Sequence, residues 1–379
     1  MIGDSNAFFG TNAGVNTNAD ANSFFGAGTG RSNLTGGNNS FFGTNAGSQG
    51  TAGSFNAFFG VEAGFKNEAN FNSFFGNAAG QQNTIGTNNT FVGASAGLQN
   101  TIGVANSMFG AYAGIDGIEG SFNSFFGVEA GAKTNANRNS FFGHVAGKQN
   151  VTGHNNSYYG SGSGQLGTAG SFNAFFGVES GLNNDADFNS FFGNAAGQQN
   201  TSGINNSFVG ASAGLSNMTG KDNTYIGTAS GTNNVSGESN TFLGASSGLA
   251  NTLGSNNTLV GTGTNLGANN LNFAAAIGSG AIVSTDNTIA LGRSNGADHV
   301  RVFGLGAGGT TPLCRNASNE ISTCSTPLAE GAVNGESTQK LIEKIDEQQK
   351  QLDEQKNQIE LLKRFVCSQT GAAEICKQN

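Results

Sequence analysis

The chain has 379 residues, of which 62 are Gly and 31 Phe, with 2 Pro and no Trp; Gly at this level without Pro excludes collagen, and the Phe content fits ordinary disorder poorly. No apolar run approaches the roughly 18 residues of a membrane-spanning helix. The net charge is −8, and residues 336–379 hold 7 of the 16 basic and 8 of the 24 acidic residues, so the first 335 carry too few charges for a nucleic-acid track.

A repeat organises the chain from its start. Aligned on the Gly that ends each Phe-Phe-Gly (Gly10, Gly26, Gly43, Gly60, and so on to Gly261), successive units are 16 or 17 residues long, followed by a step of 17 to Gly278 and one of 14 to Gly292. Asn stands four residues before this Gly in every full unit, as at Asn22, Asn39, Asn56, Asn72 and Asn89. Gly stands four residues after it in all but one, where Asn265 takes its place. Asn is the best substitute for Gly at positive φ. Residues 50–100 and 167–217 are nearly the same text, offset by 117 residues or seven units.

Such a unit is too short for helix-pair repeats and too rich in Gly for a helix interior. Ser-Phe-Phe between turn residues reads as a short strand. The fold class is therefore all-β, a parallel β-solenoid of about 18 coils, with about 4.8 Å per coil and a length of roughly 80 Å. The Asn column is expected to form a ladder of amide-to-amide hydrogen bonds, with Gly and small residues at the corners.

The paired aromatics form two columns. Phe24, Phe58, Phe74, Phe125, Phe141 and Phe175 belong to the first; Phe25, Phe59, Phe75, Phe126, Phe142 and Phe176 belong to the second. Neighbours on a strand point to opposite faces, so one column fills the coil and the other packs against further chains, since an exposed strip of this size exceeds what soluble monomers carry. The first column shrinks to Ala276 and Ala290 while the second stays large at Ile277 and Leu291. On that basis the second column is expected inside the coil and the first at an axis between chains.

The repeat stops after Gly304. Two short β runs around 312–327 flank a polar turn, with Cys314 and Cys324 placed to clamp a hairpin. A helix with heptad spacing follows: Ile345, Leu352, Ile359 and Val366 at a, and Leu341, Gln348, Gln355 and Leu362 at d. It reads as a coiled coil, the alternative being an amphipathic helix packed on its own chain. Cys367 and Cys376 bracket a short turn and pair within or between chains. Two close Cys pairs suit an oxidising compartment, and their spacing is not that of a zinc site. Met1 leads directly into repeat text, which reads as a truncated or processed chain.

The segments Asn272-Phe-Ala-Ala-Ala-Ile-Gly and Asn287-Thr-Ile-Ala-Leu-Gly resemble the 14-residue head repeats of trimeric autotransporter adhesins of the YadA type, and the longer Asn-Ser-Phe-Phe-Gly units are similar to repeats of bacterial surface and tail-fibre-like proteins. The resemblance implies a left-handed parallel β-roll, three chains around one axis and a coiled-coil stalk. The chain shows neither the membrane β-barrel anchor of those adhesins nor the self-cleaving domain frequent in tail fibres. The organisation expected is 17-residue coils over 1–270, adhesin-like head repeats over 271–304, a disulfide hairpin and linker over 305–337, and a coiled coil with a Cys-containing tail over 338–379.

Candidate chemistry is sparse. His144, His154 and His299 occupy different contexts, and Glu62, Glu129 and Glu179 share one coil position but stand three or four coils apart, about 14 to 19 Å, too far for paired-carboxylate catalysis. No phosphate loop or calcium repeat is present. Asn-x-Ser/Thr triplets are frequent because the repeat itself generates them. No enzyme, cofactor or metal site is expected. The expected function is that of an extracellular or bacterial cell-surface structural and adhesive fibre. Its partners are further copies of itself, as a trimer or a higher filament, and a host, surface or glycan ligand. The alternatives are a phage or virus fibre segment and an ice- or glycan-binding solenoid; the latter is weakened by the variable outer positions Thr84, Gln99, Thr101, Val151, Thr201 and Met218.

Overall fold

The computed structural model describes residues 3–298, 313–315, 321–323 and 335–370. The chain divides into two units, Met1–Val300 and Arg301–Asn379.

The first unit is a parallel β-solenoid. Among the described residues, one sheet contains 18 strands, three residues each, from Ala7–Phe9 to Ile289–Leu291. Each strand is the Ser-Phe-Phe of one repeat, and every pairing is parallel and in register, so that Phe58 lies over Phe74 and Phe59 over Phe75. Beyond the strands, coil-to-coil main-chain bonds continue, for example Gly64 N–H to Ala79 O at 2.9 Å and Lys66 N–H to Gln81 O at 3.0 Å. In the shorter C-terminal coils a second two-stranded pair forms, Asn265–Leu266 with Ile282–Val283.

The core is the first aromatic column, which corrects the expectation that the second column would be inside. Phe24, Phe58, Phe74, Phe125, Phe141 and Phe175 are fully buried, whereas Phe25, Phe59 and Phe176 stand 36–38% exposed. The Gly four residues after the repeat Gly decides this. Gly131 has φ +59°, and a Cβ there would come within 2.6 Å of the Phe125 ring; the inner ring lies against a corner that only Gly can form. The size gradient that suggested the opposite assignment has another cause. Short coils enclose less space, and Ala276 fills it together with Leu259, Leu266, Leu271 and Val283.

The Asn ladder is present, but its bonds run from side chain to main chain. Asn56 Oδ1 accepts the Asn72 N–H at 2.8 Å, Asn72 Oδ1 accepts the Asn89 N–H at 2.9 Å, and Asn72 Nδ2 donates to Gly86 O at 2.9 Å. The pattern continues without a break through Asn22 and Asn39 to Asn257. One side chain thus closes a main-chain donor that would otherwise be buried unpaired, and shares a coil carbonyl with the inner Asn column, as Asn83 Nδ2 also donates to Gly86 O.

An amide-to-amide ladder does exist in a different column, seven residues after the repeat Gly. Asn100 Nδ2 donates to Asn83 Oδ1 at 3.0 Å, Asn217 to Asn200 at 2.8 Å, Asn234 to Asn217 at 2.9 Å and Asn251 to Asn234 at 2.8 Å. It stops where Ala268 takes the next position, which leaves Asn251 Oδ1 buried without a partner. The two other buried, unpartnered side-chain oxygens of this column, on Thr17 and Thr134, also replace its Asn.

In the second unit, Leu313–Arg315 pairs antiparallel with Ile321–Thr323, and a helix spans Gly335–Thr370. The disulfide clamp of the hairpin is not supported: Cys314 lies on the first strand, but Cys324 is outside the described residues, as is Cys376. Cys367 lies within the helix.

Candidate interaction surfaces

Each strand turns two residues outward, the one that opens it (Ser, Thr or Ala, and Ile289 in the last) and the aromatic or aliphatic residue that closes it. Neither position is charged in any of the 18 strands. The outward rings stack along the rod: Phe25–Phe42, Phe109–Phe126, Phe126–Phe142 and Tyr159–Phe176 have centroids 4.6–4.8 Å apart and planes within 6°. From coil 13 onward the column turns aliphatic, with Val209, Ile226, Leu243, Ile277 and Leu291 still 41–47% exposed. The result is one continuous uncharged strip, a row of mostly Ser and Thr beside a row of rings and aliphatic side chains. At about 10 Å for a three-residue strand and 80 Å for the stack, it covers roughly 800 Å².

The helix carries an exposed apolar seam. Ile345, Leu352, Ile359 and Leu362, which fall on the predicted a and d positions, are each about half exposed, as are Ile342, Leu361 and Phe365. Leu341 and Val366 have no described side-chain environment. Polar residues elsewhere on the helix form surface pairs, Lys356 with Asp353 and Lys363 with Glu360, which contribute little individually.

A third set of aromatics, which sequence reading missed, sits at the corner before the strand. Phe55–Phe71 and Phe172–Phe188 stack at 5.2 and 5.1 Å, and the Arg138 guanidinium lies 6.0 Å over the Phe122 ring. All six residues have φ near +60°, a conformation that is uncommon for bulky side chains. Each pair spans a 16-residue coil, in which the usual buried Gly is absent and Ala69, Ala136 or Ala186 packs instead.

The polar candidates do not converge. Glu62 accepts from Gln81 Nε2 at 2.5 Å, Glu179 from Gln198 Nε2 at 2.6 Å, and Glu129 pairs with Lys148. Each carboxylate is thus held by the following coil. Glu68 and Asp185, equivalent in the duplicated segments, accept from the N–H and hydroxyl of Thr51 and Thr168, respectively. His144 is exposed, His154 Nδ1 accepts the Asn137 N–H at 3.0 Å, and His299 lies outside the described residues. Burial pushes the hydroxyl pKa of Tyr158 and Tyr225 well above the usual value. Among the described residues no group of His, Cys, Asp and Glu is arranged to hold a metal ion, and no helix is long and apolar enough to cross a membrane. The features that stand out are the uncharged strand face of the first unit, with its row of outward rings, and the exposed apolar seam of the helix. The chain matches no protein-family model, no curated protein and no solved structure.

Proposed function

We propose that the chain is a non-enzymatic extracellular fibre protein whose copies associate through the outward Phe column, as a homotrimeric rod that presents repeated polar corners for surface attachment or filament assembly. The observation that carries this reading is the strip of roughly 800 Å², uncharged in all 18 strands. It equals what each partner buries in a standard interface, and its closing row of rings and aliphatic side chains runs the length of the stack. A copy of the same solenoid has the same axial repeat, so that each row of rings meets another row along the whole length. The exposed Ile345, Leu352, Ile359 and Leu362 seam supports the same association through a coiled coil.

Resemblance to YadA-type heads favours three chains, a left-handed roll and a cell-surface location. Light scattering on the purified chain, with and without reductant, tests the reading. A mass of about 115 kDa is expected, three times the 38.3 kDa of one chain, and unchanged by reductant because the interface is apolar. A stable monomer near 38 kDa overturns it.

A further inference from the structure

The triplets Asn-x-Ser/Thr that the repeat generates are equivalent as text, but the fold divides them into two kinds. Asn33, Asn150, Asn200, Asn217 and Asn234 each begin such a triplet and are buried in the inner amide column, with Nδ2 bonded to a coil carbonyl such as Gly36 O or Gly220 O. Their amides are out of reach of any enzyme acting on the folded chain.

The other kind lies at the corner before the strand. Asn38, Asn88, Asn155, Asn205 and Asn256 all have φ between +57° and +60°. Four are exposed and Asn155 is half-exposed. Each is followed by a buried ladder Asn and then by Ser40, Thr90, Ser157, Ser207 or Thr258, the outward residue that opens the strand. Acceptor amide and hydroxyl are thus both on the surface, held at the same spacing in five coils. These coils are three or four apart, about 14 to 19 Å along the rod, far enough for each to carry a bulky group of its own.

We propose that these five corner asparagines are sites of N-linked glycosylation, and that the buried five are not. In the reaction, Asn Nδ2 forms a bond to C1 of a phosphate-activated sugar. The bond between C1 and the phosphate oxygen breaks, the leaving group keeps the electron pair, and Nδ2 loses one proton. A transferase of the producing cell supplies the donor and the catalysis. The inference rests on the extracellular reading above, because an Asn-x-Ser/Thr acceptor is a feature of surface loops in secreted proteins. Sugars on five coils of 18 leave most of the strand face uncovered.

The test is the intact mass of the full chain isolated from the cells that make it, followed by glycopeptide mapping. The expected result is a mass above 38.3 kDa with as many as five glycan increments on the repeat, mapping to Asn38, Asn88, Asn155, Asn205 and Asn256, apart from any at Asn316-Ala-Ser outside the repeat. Asn88→Gln and Thr90→Val each remove the increment at Asn88, and Thr90→Val does so with the corner amide still in place. Thr219→Val, which destroys the triplet of buried Asn217, leaves the pattern unchanged. Sugar on Asn33, Asn150, Asn200, Asn217 or Asn234 overturns the proposal, and so does an unmodified mass. For an unmodified chain recovered outside the cell the fibre reading survives; for one confined to the cytosol both fall. A glycosylated chain that scatters as a monomer overturns the trimer alone.

Discussion

Phe125 and Phe126 are adjacent on one strand and chemically identical, yet the first is fully buried and the second stands on the outer face. Both belong to stacks of aromatic rings about 5 Å apart. What separates them is the backbone opposite: the inner ring rests on the left-handed Gly131, and the outer ring has no such neighbour within its coil. The comparison teaches that in a solenoid a residue type does not reveal its role, because two adjacent columns can be equally apolar while only one belongs to the fold.

That contrast can be broken most sharply by truncation. Phe125→Ala removes a ring from the closed column and is expected to cost about 3–5 kcal/mol, read as a fall in the denaturant midpoint and centred on its own and neighbouring coils. Asn206→Ala comes next. It strips the partner from the Asn223 N–H, bonded at 3.0 Å, and one of two donors from Gly220 O, bonded at 2.8 Å. Gly220 O keeps its bond from Asn217 Nδ2 at 2.8 Å, so one buried main-chain donor is left unpaired, for an expected loss of about 1–3 kcal/mol. A loss well below 1 kcal/mol would mean that water replaces the side chain.

The outer column should behave differently. Phe126→Ser is expected to cost a separated chain only about 1 kcal/mol, the stacking of its ring on Phe109 and Phe142, while sedimentation or light scattering reports weaker association between copies. If Phe126→Ser destabilises the single chain as much as Phe125→Ala does, the division between the columns fails.

The smallest expected effect sharpens the inner column. The Tyr225 hydroxyl is buried, with the Asn240 amide near it but not in hydrogen-bonding geometry. Tyr225→Phe should be neutral or stabilising by about 1 kcal/mol, since it removes an unpaired polar group. The pH dependence has a definite sign. Burial raises the folded-state pKa of Tyr225 and of Tyr158 above the unfolded value of about 10, so their contribution is complete below that value and is lost as pH rises beyond it. The double variant Tyr158→Phe/Tyr225→Phe should flatten the alkaline fall in melting temperature above pH 10.

The repeat length, the parallel stacking and the in-register strands were all legible in the text, because one backbone solution repeated at a constant interval forces identical side chains into columns. The unbroken Asn column from Asn6 to Asn257 was legible for the same reason, as an invariant polar residue beside a strand. The inner amide ladder carried a signal too, since Asn67, Asn83 and Asn100 recur seven residues after the repeat Gly, but gaps at Gly50, Gly117 and Gly167 interrupt it. The inward column and the bond partners of the Asn ladder could not be read this way. Which of two adjacent apolar columns is enclosed depends on which way the chain turns after the strand, and the tapering residues Ala276 and Ala290 fit either direction. Only the closed coil, with left-handed glycines against the inner rings and each ladder amide facing the main chain of the next coil, decided between them.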